Sequence, residues 1–264
     1  MCFKLAQKLS ILEIHFLRTV IMSESAEVKI YSNQKQVIKA LAKEIYKLTM
    51  SSSQERFHIC LSGGNTPSEL FKKINKKYAY SIDWQRVHFW WGDERCVSPG
   101  NESSNFKQAN DLLLSQILIP AENIHRIKGE NNPEEEAVRY ATEIKVNLNY
   151  RGNNPVFDLV ILGLGEDGHT ASIFPDELEL FEDERLCAVT THPLTGQKRI
   201  TITGRVLNNA NRVFFLVTGA NKAQRISEIM NDDEAAKLLP AYYISPENGD
   251  LIWFIDEAAA QKIQ

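Results

Sequence analysis

The sequence predicts an α/β fold built on a mostly parallel sheet with helices on both faces. Short apolar segments of strand length alternate along the chain with segments whose apolar residues recur at helical spacing. The strand-like segments are almost continuously apolar, which is typical of parallel strands buried on both faces. Several of them run directly into glycine-rich turns, as expected where a parallel strand leads into a helix.

The predicted elements follow from capping residues and apolar spacing. Ser32 or Asn33 caps a first helix, whose apolar residues between positions 37 and 48 share one face. Thr66 and Glu69 have the spacing of a capping box around Pro67, so a second helix is predicted to begin there. The other predicted elements are strands at 57–61, 86–91, 156–162, 185–191, 199–203, 212–218 and 251–255, and helices at 105–118, 133–148 and 222–230.

Residues 28–264 are predicted to form a single domain, because no internal repeat or low-complexity linker divides them. Residues 1–27 are predicted to be an N-terminal extension, poorly ordered or helical, within which Met22 is a second candidate start. Charged residues interrupt the apolar residues of this extension, which argues against a signal peptide. No stretch of the chain is long and apolar enough for a transmembrane helix.

Charge and cysteine content exclude several classes of protein. A net charge of −4 and a pI of 5.9 argue against a nucleic-acid surface or a polybasic membrane patch. The four cysteines have no C-x-x-C spacing, which predicts a reducing, cytoplasmic location with neither a disulfide framework nor a zinc site. Acidic residues and histidines are not at ligand spacings, so no metal is expected. We expect a monomer or a weak homo-oligomer.

The first chemical motif is the loop that joins the strand at 57–61 to the next helix. Ser62, Gly63 and Gly64 lead into the helix start, where unpaired N–H groups and the helix dipole favour an anion. The hydroxyl groups of Ser62 and Thr66 add possible donors. The loop lacks the lysine of a nucleotide-binding P-loop, so a nucleoside triphosphate is not implied. An ordinary strand-to-helix turn is the alternative interpretation.

A second motif follows the strand at 86–91. Gly92 ends the strand, and Asp93, Glu94 and Arg95 come directly after it. The arginine fork suits a phosphate or a carboxylate. The alternative is a solvated loop in which Arg95 pairs with one of the two neighbouring acids.

The third motif follows the strand at 156–162 and is the most informative. Three glycines, Gly163, Gly165 and Gly168, surround Asp167 and lead to His169. The pattern is not a dinucleotide-binding fingerprint, because a proline six residues after the histidine leaves no room for a long helix. We expect His169 at a helix N-terminus, whose dipole favours the neutral imidazole that a general base requires. Asp167 is expected to orient a neighbour or bind a sugar hydroxyl.

Two further segments place cations next to predicted strands. Lys198 and Arg199 begin the strand at 199–203, and Lys222 follows Gly219 after the strand at 212–218. At that turn Lys222 is positioned to meet a phosphate. For Lys198 and Arg199 a charge pair on an edge strand is an equal alternative.

Together these segments resemble the 6-phosphogluconolactonase family, from about Val28 to the C-terminus. The resemblance is carried by the motifs at 62–67, 92–95, 163–175, 199–201 and 219–222, in that order. It implies a Rossmann-like fold related to glucosamine-6-phosphate isomerases. It also implies hydrolysis of 6-phosphoglucono-δ-lactone, a step of the oxidative pentose phosphate pathway, without a metal or organic cofactor. The partner would then be a small sugar-phosphate lactone.

The resemblance also implies roles for individual residues. His169 would be the general base, helped by Asp167, and Arg95 or backbone N–H groups of the glycine turn would stabilise the oxyanion. The substrate and its phosphate would be held by the residues Ser62, Gly63, Gly64, Thr66, Arg95, Gly165, Gly168, Arg199 and Lys222. The chain departs from the family at residues 195–198, Thr-Gly-Gln-Lys, where prolines are usual.

Two other functions remain compatible with the sequence. One is an isomerase or deaminase of an amino-sugar phosphate, which would need an acid–base pair that opens the ring and moves a proton between C1 and C2. The other is a sugar-phosphate sensor without catalysis, which would leave His169 without a reason to follow an anion-binding loop.

Overall fold

The computed structural model describes residues 18–23 and 26–263. Its centre is an eight-stranded sheet in the order β1-β2-β13-β12-β9-β3-β4-β6, parallel except for β1 at one edge. These strands are β1 (Arg18–Ser23), β2 (Ala26–Tyr31), β3 (Phe57–Leu61), β4 (Val87–Trp91), β6 (Ile124–His125), β9 (Leu159–Leu162), β12 (Arg212–Val217) and β13 (Asp250–Asp256).

Helices flank this sheet, and its central strands are covered on both faces. Every residue of β3, β4 and β9 is buried, which requires a layer on each side because successive side chains point in opposite directions. The helices are α1 (Gln34–Ser51), α2 (Asn65–Tyr78), α3 (Asn105–Leu112), α4 (Pro133–Asn147), α5 (Gly204–Leu207), α6 (Ala223–Met230) and α7 (Glu257–Ala260). None of the helices in the described part of the chain is long and apolar enough to cross a membrane.

Two smaller sheets complete the fold. One is a three-stranded antiparallel sheet in the order β10-β11-β5, and the other is a two-stranded hairpin. Their strands are β10 (Cys187–Thr191), β11 (Lys198–Ile202) and β5 (Asp93–Arg95), and β7 (Asn149–Arg151) with β8 (Asn154–Val156). The segments predicted at 185–191 and 199–203 are therefore strands, but they lie outside the main sheet. An apolar segment alone does not tell which partner a strand pairs with.

Other predicted bounds also change. The segment 156–162 divides into β8 and β9, because Asp158 leaves the pairing and its carboxylate accepts the backbone N–H of His58 at 2.8 Å. The helix predicted at 105–118 stops at Leu112 and is followed by a short 3₁₀ turn at Leu114–Gln116. The predicted boundary after residue 27 falls inside β2, which begins at Ala26 and pairs with β1. Residues 18–23 of the predicted extension form β1 rather than a poorly ordered or helical segment, and residues 1–17 and 24–25 lie outside the described residues.

The predicted capping box at Thr66 is wrong. Helix α2 begins at Asn65, with Gly64 as its N-cap at φ 115° and no side-chain cap. The Thr66 hydroxyl contacts the Thr218 hydroxyl at 3.2 Å instead of closing the helix end. Only glycine adopts the Gly64 conformation without strain, so this glycine decides where the helix starts.

Candidate active site

The predicted motifs meet at one edge of the main sheet, beyond the carboxyl ends of β3, β4, β9 and β12. This is the edge at which open parallel sheets bind ligands. A cavity of about 370 Å³ lies there. It is lined by residues 62–64, Asp93, Arg95, Asn105, residues 163–166, residues 169–171, Arg199 and Lys222.

Asp167 and His169 form a hydrogen-bonded pair at this cavity. The Asp167 carboxylate is 2.6 Å from Nδ1 of the imidazole and also accepts the His169 backbone N–H at 3.1 Å. Burial opposes ionisation of this carboxyl, but the contacts with His169 prevail and lower the pKa of Asp167 to about 2. An ionised carboxylate only accepts hydrogen bonds, so Nδ1 carries a proton, and in the neutral imidazole the free electron pair is on Nε2. The imidazole is therefore in the tautomer that a general base needs.

The pair depends on the absence of a side chain at Gly165. A Cβ there would lie 2.2 Å from Nδ1 of His169 and 2.5 Å from Oδ1 of Asp167. The turn is closed by the Gly165 N–H, which donates to the His169 carbonyl at 2.8 Å. The Gly168 N–H donates to the Gly165 carbonyl at 3.2 Å, and Gly168 packs against Leu239 rather than facing the cavity. Both N–H groups are thus used inside the turn.

The expected helix N-terminus at His169 is wrong. Thr170 and Ile173 form an isolated β-bridge, and Ala171 between them has a φ of 48°. A residue in this left-handed region cannot continue a right-handed helix. The next helical turn is a short 3₁₀ segment at Leu178–Phe181. Asp167, rather than a helix dipole, is therefore the group that acts on the imidazole.

The loop after β3 lies at the cavity, but several of its polar groups already form hydrogen bonds within the protein. The Ser62 hydroxyl donates to the Ile161 carbonyl at 2.8 Å, and the Gly64 N–H donates to the Gln108 side chain at 2.9 Å. Thr66 is not among the lining residues and pairs with Thr218. The loop therefore offers fewer donors to an anion than the sequence suggested.

Asn105 lines the cavity, although the sequence indicated only that a helix begins there. Its side chain amide donates to the Asp93 carbonyl at 2.9 Å. A Cβ at Gly63 would lie 1.9 Å from the Asn105 amide oxygen, so Gly63 lets the loop touch α3. The double glycine after β3 was the sequence signal for this contact, since glycine allows another part of the chain to approach the backbone closely.

Two arginines lie side by side on adjacent strands of the small three-stranded sheet. Arg95 on β5 is paired in register with Arg199 on β11, and both line the cavity. The Nε atom of each guanidinium is buried and has no hydrogen-bond partner among the described residues. Burial first, and then the charge of Arg95, lower the pKa of Arg199. Two cations held together with unused buried donors form a site suited to an anion.

The alternative for Arg95 does not hold, and that for Arg199 holds only in part, because Arg199 forms a charge pair on the middle strand of the small sheet rather than on an edge strand. Arg95 donates through Nη1 to the Ser103 carbonyl at 2.6 Å and does not pair with Asp93 or Glu94 through its side chain. Arg199 is buried, not at a solvated edge, and its Nη1 lies 3.7 Å from the Asp93 carboxylate. Lys198, its neighbour, is exposed and lines a different surface groove.

Asp93 and Glu94 are buried acids that assemble the site. Asp93 accepts the Ser172 hydroxyl at 2.6 Å, which ties β5 to the loop that carries His169. Glu94 accepts the backbone N–H of Asn105 at 2.8 Å and of Phe106 at 2.7 Å, and so caps α3. Burial raises the pKa of Glu94.

Lys222 adds a third cation at the end of β12. It is half-buried, and burial lowers its pKa, while the charges of Glu166 and Asp167 oppose that shift. Of the eleven residues that the sequence pointed to, eight line the cavity, and Thr66, Asp167 and Gly168 do not. Asp167 still acts there through His169.

A family model described as glucosamine-6-phosphate isomerases/6-phosphogluconolactonase matches residues 32–253, which include all of these site segments. The chain belongs to this family. Its resemblance to the family is thereby confirmed, and so is the predicted α/β fold class.

Members of the family with similar sequences are named as lactonases. A 6-phosphogluconolactonase of Haemophilus influenzae is 45% identical over 205 residues, which cover 77% of this chain and 86% of that protein. The crystal structure of a devB protein has a TM-score of 0.86 at 42% identity and covers 90% of this chain and 100% of that one. The 6-phosphogluconolactonase structure from Thermotoga maritima has a TM-score of 0.74 at 30% identity, covering 88% and 99%.

The side chains near the cavity can be compared with those that metal ions require. Among residues 18–23 and 26–263, no group of three or more His, Cys, Asp or Glu side chains is placed to hold a metal ion. The cavity gathers the cations Arg95, Arg199 and Lys222 beside the Asp167–His169 pair, together with two separate acids, Asp93 and Glu166.

Proposed function

We propose that this chain hydrolyses 6-phospho-D-glucono-1,5-lactone to 6-phospho-D-gluconate, as a cytoplasmic step of the oxidative pentose phosphate pathway. The observation that carries the proposal is the meeting, in one cavity, of an Asp–His pair with an arginine pair whose Nε atoms are buried. The first supplies a base for water, and the second supplies a place for the phosphate or for the developing oxyanion.

The reaction class follows from the family relation. The chain is a carboxylic ester hydrolase of the lactonase type, like relatives such as the Haemophilus influenzae protein. A lactone is an internal ester, so its hydrolysis needs an activated water, a stabilised oxyanion and a proton for the leaving ring oxygen.

His169 is proposed to supply the base and then the acid. Nε2 takes a proton from water as the water oxygen attacks the lactone carbonyl. When the tetrahedral intermediate collapses, the bond from the carbonyl carbon to the ring oxygen breaks, and the imidazolium returns the proton to that oxygen. Asp167 stabilises the imidazolium and keeps Nε2 directed away from itself.

We propose that different cations bind the two negatively charged groups, the oxyanion of the reacting carbonyl and the phosphate of the substrate. The Gly165 and Gly168 N–H groups are used within the turn, which favours an arginine over the backbone as the oxyanion donor. Arg95 and Arg199 have buried, unpaired Nε groups for this task. Lys222 and the first turn of α2 are then proposed to hold the phosphate, together with the second arginine.

The test is turnover of freshly generated lactone against its spontaneous loss, with wild type and His169→Ala measured side by side. We expect fast loss with wild type and a turnover lower by about 10²–10⁴-fold for the variant, the usual contribution of a general base. Binding of 6-phosphogluconate to the variant should change little. Fast loss with both proteins would keep the activity and remove His169 from the mechanism.

Background rates with both proteins would overturn the lactonase proposal. Ammonia release from glucosamine 6-phosphate would then identify a deaminase. Binding of 6-phosphogluconate without either turnover would identify a sensor.

A further inference from the structure

A cluster of buried histidines lies on the main sheet, apart from the cavity and without a role in the reaction. We call it the histidine cluster and define it as His58, His88, Trp90, His125 and Glu143. The three histidines come from β3, β4 and β6, and each is less than 8% exposed. His58 and His88 are register partners, as are Trp90 and His125, so the rings share one face of the sheet.

The rings of the cluster are joined in a closed circuit. Trp90 Nε1 donates to Nδ1 of His58 at 3.1 Å, and the Trp90 ring stacks on His125 with centroids 3.8 Å apart. Nε2 of His125 lies 3.0 Å from Nδ1 of His88, whose ring is 4.9 Å from that of His58. Glu143 on α4 is attached to the circuit from outside the sheet, with its carboxylate 2.7 Å from Nδ1 of His125.

The partners fix the proton positions. Burial opposes ionisation of Glu143, but hydrogen bonds from His125 and Arg139 lower its pKa, so Glu143 is a carboxylate that only accepts. His125 therefore donates from Nδ1. In the neutral form of its ring, Nε2 accepts and Nδ1 of His88 is the donor. His58 must accept from the Trp90 N–H, which only donates. An added proton on Nδ1 of His58 would remove this acceptor.

We propose that the histidine cluster is an acid-sensitive latch that holds β6 and α4 against the sheet. Strand β6 has only two residues, and its pairing with β4 is too short to hold it alone. The latch ties β6 to β4 through His88 and Trp90 and to α4 through Glu143. Protonation of His58 at Nδ1 removes the acceptor of the Trp90 N–H. Protonation of His88 keeps its Nδ1–H donor to His125 but places a buried charge in the circuit.

Burial and the neighbouring cations lower the pKa of both His58 and His88, and of the neighbouring acids Glu122 opposes the shift of His88. Burial first, then His88, His125 and Arg56, lower the pKa of His58 to about 3. Burial, His125 and Arg56 lower the pKa of His88 to about 4, against the opposing charge of Glu122. The charged groups that face the cluster from the packed elements are Arg56, Glu122, Asp158, Glu136, Arg139 and Glu143.

The sign of the pH effect follows from these directions. Both histidines are neutral in the folded protein but bind a proton near pH 6.5 when the chain unfolds, so acid favours the unfolded chain. Each raises the unfolding constant by about tenfold for each pH unit below 6.5, until its folded pKa is reached. Stability is thus retained above pH 6.5 and lost between 6.5 and about 4.

The latch also bears on the active site through α4. The Tyr140 hydroxyl on that helix accepts the Trp91 N–H at 2.9 Å and donates to the Trp91 carbonyl at 3.0 Å. Trp91 ends β4, immediately before the segment that carries Arg95. If α4 moved away from the sheet at acid pH, the hydrogen bonds between Tyr140 and Trp91 would be lost at the strand that leads into the site.

The test compares full-length wild type with the double variant His58→Asn/His88→Asn. Asparagine places an acceptor or donor near the position of Nδ1 and does not titrate, so the hydrogen bonds remain possible. His192→Asn, on the β10–β11 hairpin, is the control for the loss of a histidine outside the cluster whose pKa burial also lowers. We expect the unfolding constants of wild type and control to rise steeply from pH 7.5 to 5.0, and that of the double variant to rise at least tenfold less. An equal rise in all three would overturn the latch.

Two further measurements do not depend on the variant folding. Hydrogen exchange of wild type should accelerate in Pro133–Asn147 at pH 5.0 relative to α1, after correction for intrinsic rates. NMR titration of the wild-type imidazoles should show His58 and His88 neutral down to pH 5. Protonation of either near pH 6.5 in the folded protein would overturn the proposal.

Discussion

At the scale of the residue, the reactivity of His169 depends on one carboxylate. Replacing Asp167 by Asn offers Nδ1 an amide donor, which favours the tautomer with the proton on Nε2 and removes the base. We expect Asp167→Asn to lower kcat by about 10²-fold or more. The double variant Asp167→Asn/His169→Ala should be no slower than His169→Ala alone, because the two residues act as a unit. Additive losses in lactone turnover would show independent roles.

The depressed pKa of Asp167 sets the pH range in which the pair exists. Its folded pKa of about 2 lies below the ordinary value of 3.8, so its contribution to stability is present above 3.8 and lost as the pH falls through 2. We therefore expect no step in kcat/KM from Asp167 between pH 4 and 8. A limb in that range that persists in the residual activity of His169→Ala but disappears in Asp167→Asn would contradict this assignment.

The glycine at 165 is predicted to matter through shape alone. Gly165→Ala places a methyl group against both members of the pair, and shifts of this size at a reacting group cost about 10²-fold in rate. The φ of Gly165 is not positive, so the backbone tolerates alanine. Gly100→Ala is the matched control, since its Cβ meets open space. Equal kcat in the two variants and wild type would refute the steric argument.

The sequence located most site residues but not their partners. Glycines and charges after each strand pointed to Arg95, His169 and Lys222, because strand ends of a parallel sheet converge. The Asp167–His169 contact was within reach of such reasoning, since the residues are two apart. The Asp93–Ser172 contact joins residues 79 positions apart, and no local pattern encodes it.

At the scale of the element, the small antiparallel sheet aligns the arginines. Arg199→Gln should weaken binding of 6-phosphogluconate by about 10- to 100-fold, the equivalent of a charged hydrogen bond worth about 1.5–3 kcal/mol. Lys198→Gln, next to it on β11 but exposed, should bind as wild type does. Calorimetric titration of both variants measures the difference. Equal affinities would remove Arg199 from the anion site.

Element positions were predictable where local patterns decide them. The strand at 57–61 matches β3, and the first helix starts after Asn33, whose side chain accepts the Gln36 N–H. The strands β10 and β11 were predicted, but the small sheet that they form was not, since an apolar pattern records burial and not the pairing partner. The helix expected at His169 failed because Ala171 adopts a left-handed conformation that its residue type does not announce.

At the scale of the whole molecule, one apolar core joins the main sheet and the three-stranded sheet. Buried residues of β11, such as Ile200 and Ile202, belong to the same cluster as those of β3, β4 and β12. The arginine pair therefore stands on an element whose burial depends on the main sheet. This supports the prediction of a single domain for residues 28–264, which remains to be measured.

The shared core predicts that activity and fold are lost together. We expect lactone turnover, tryptophan fluorescence and far-ultraviolet circular dichroism to follow one transition on heating. Ile200→Ala, at a fully buried position of the small sheet, should lower stability by about 2–5 kcal/mol and shift all three signals equally. Leu194→Ala, on the hairpin between the same strands but 90% exposed, should leave them within about 0.5 kcal/mol. If activity instead disappears in an earlier transition while fluorescence persists, the small sheet unfolds independently and the site rests on a separate unit.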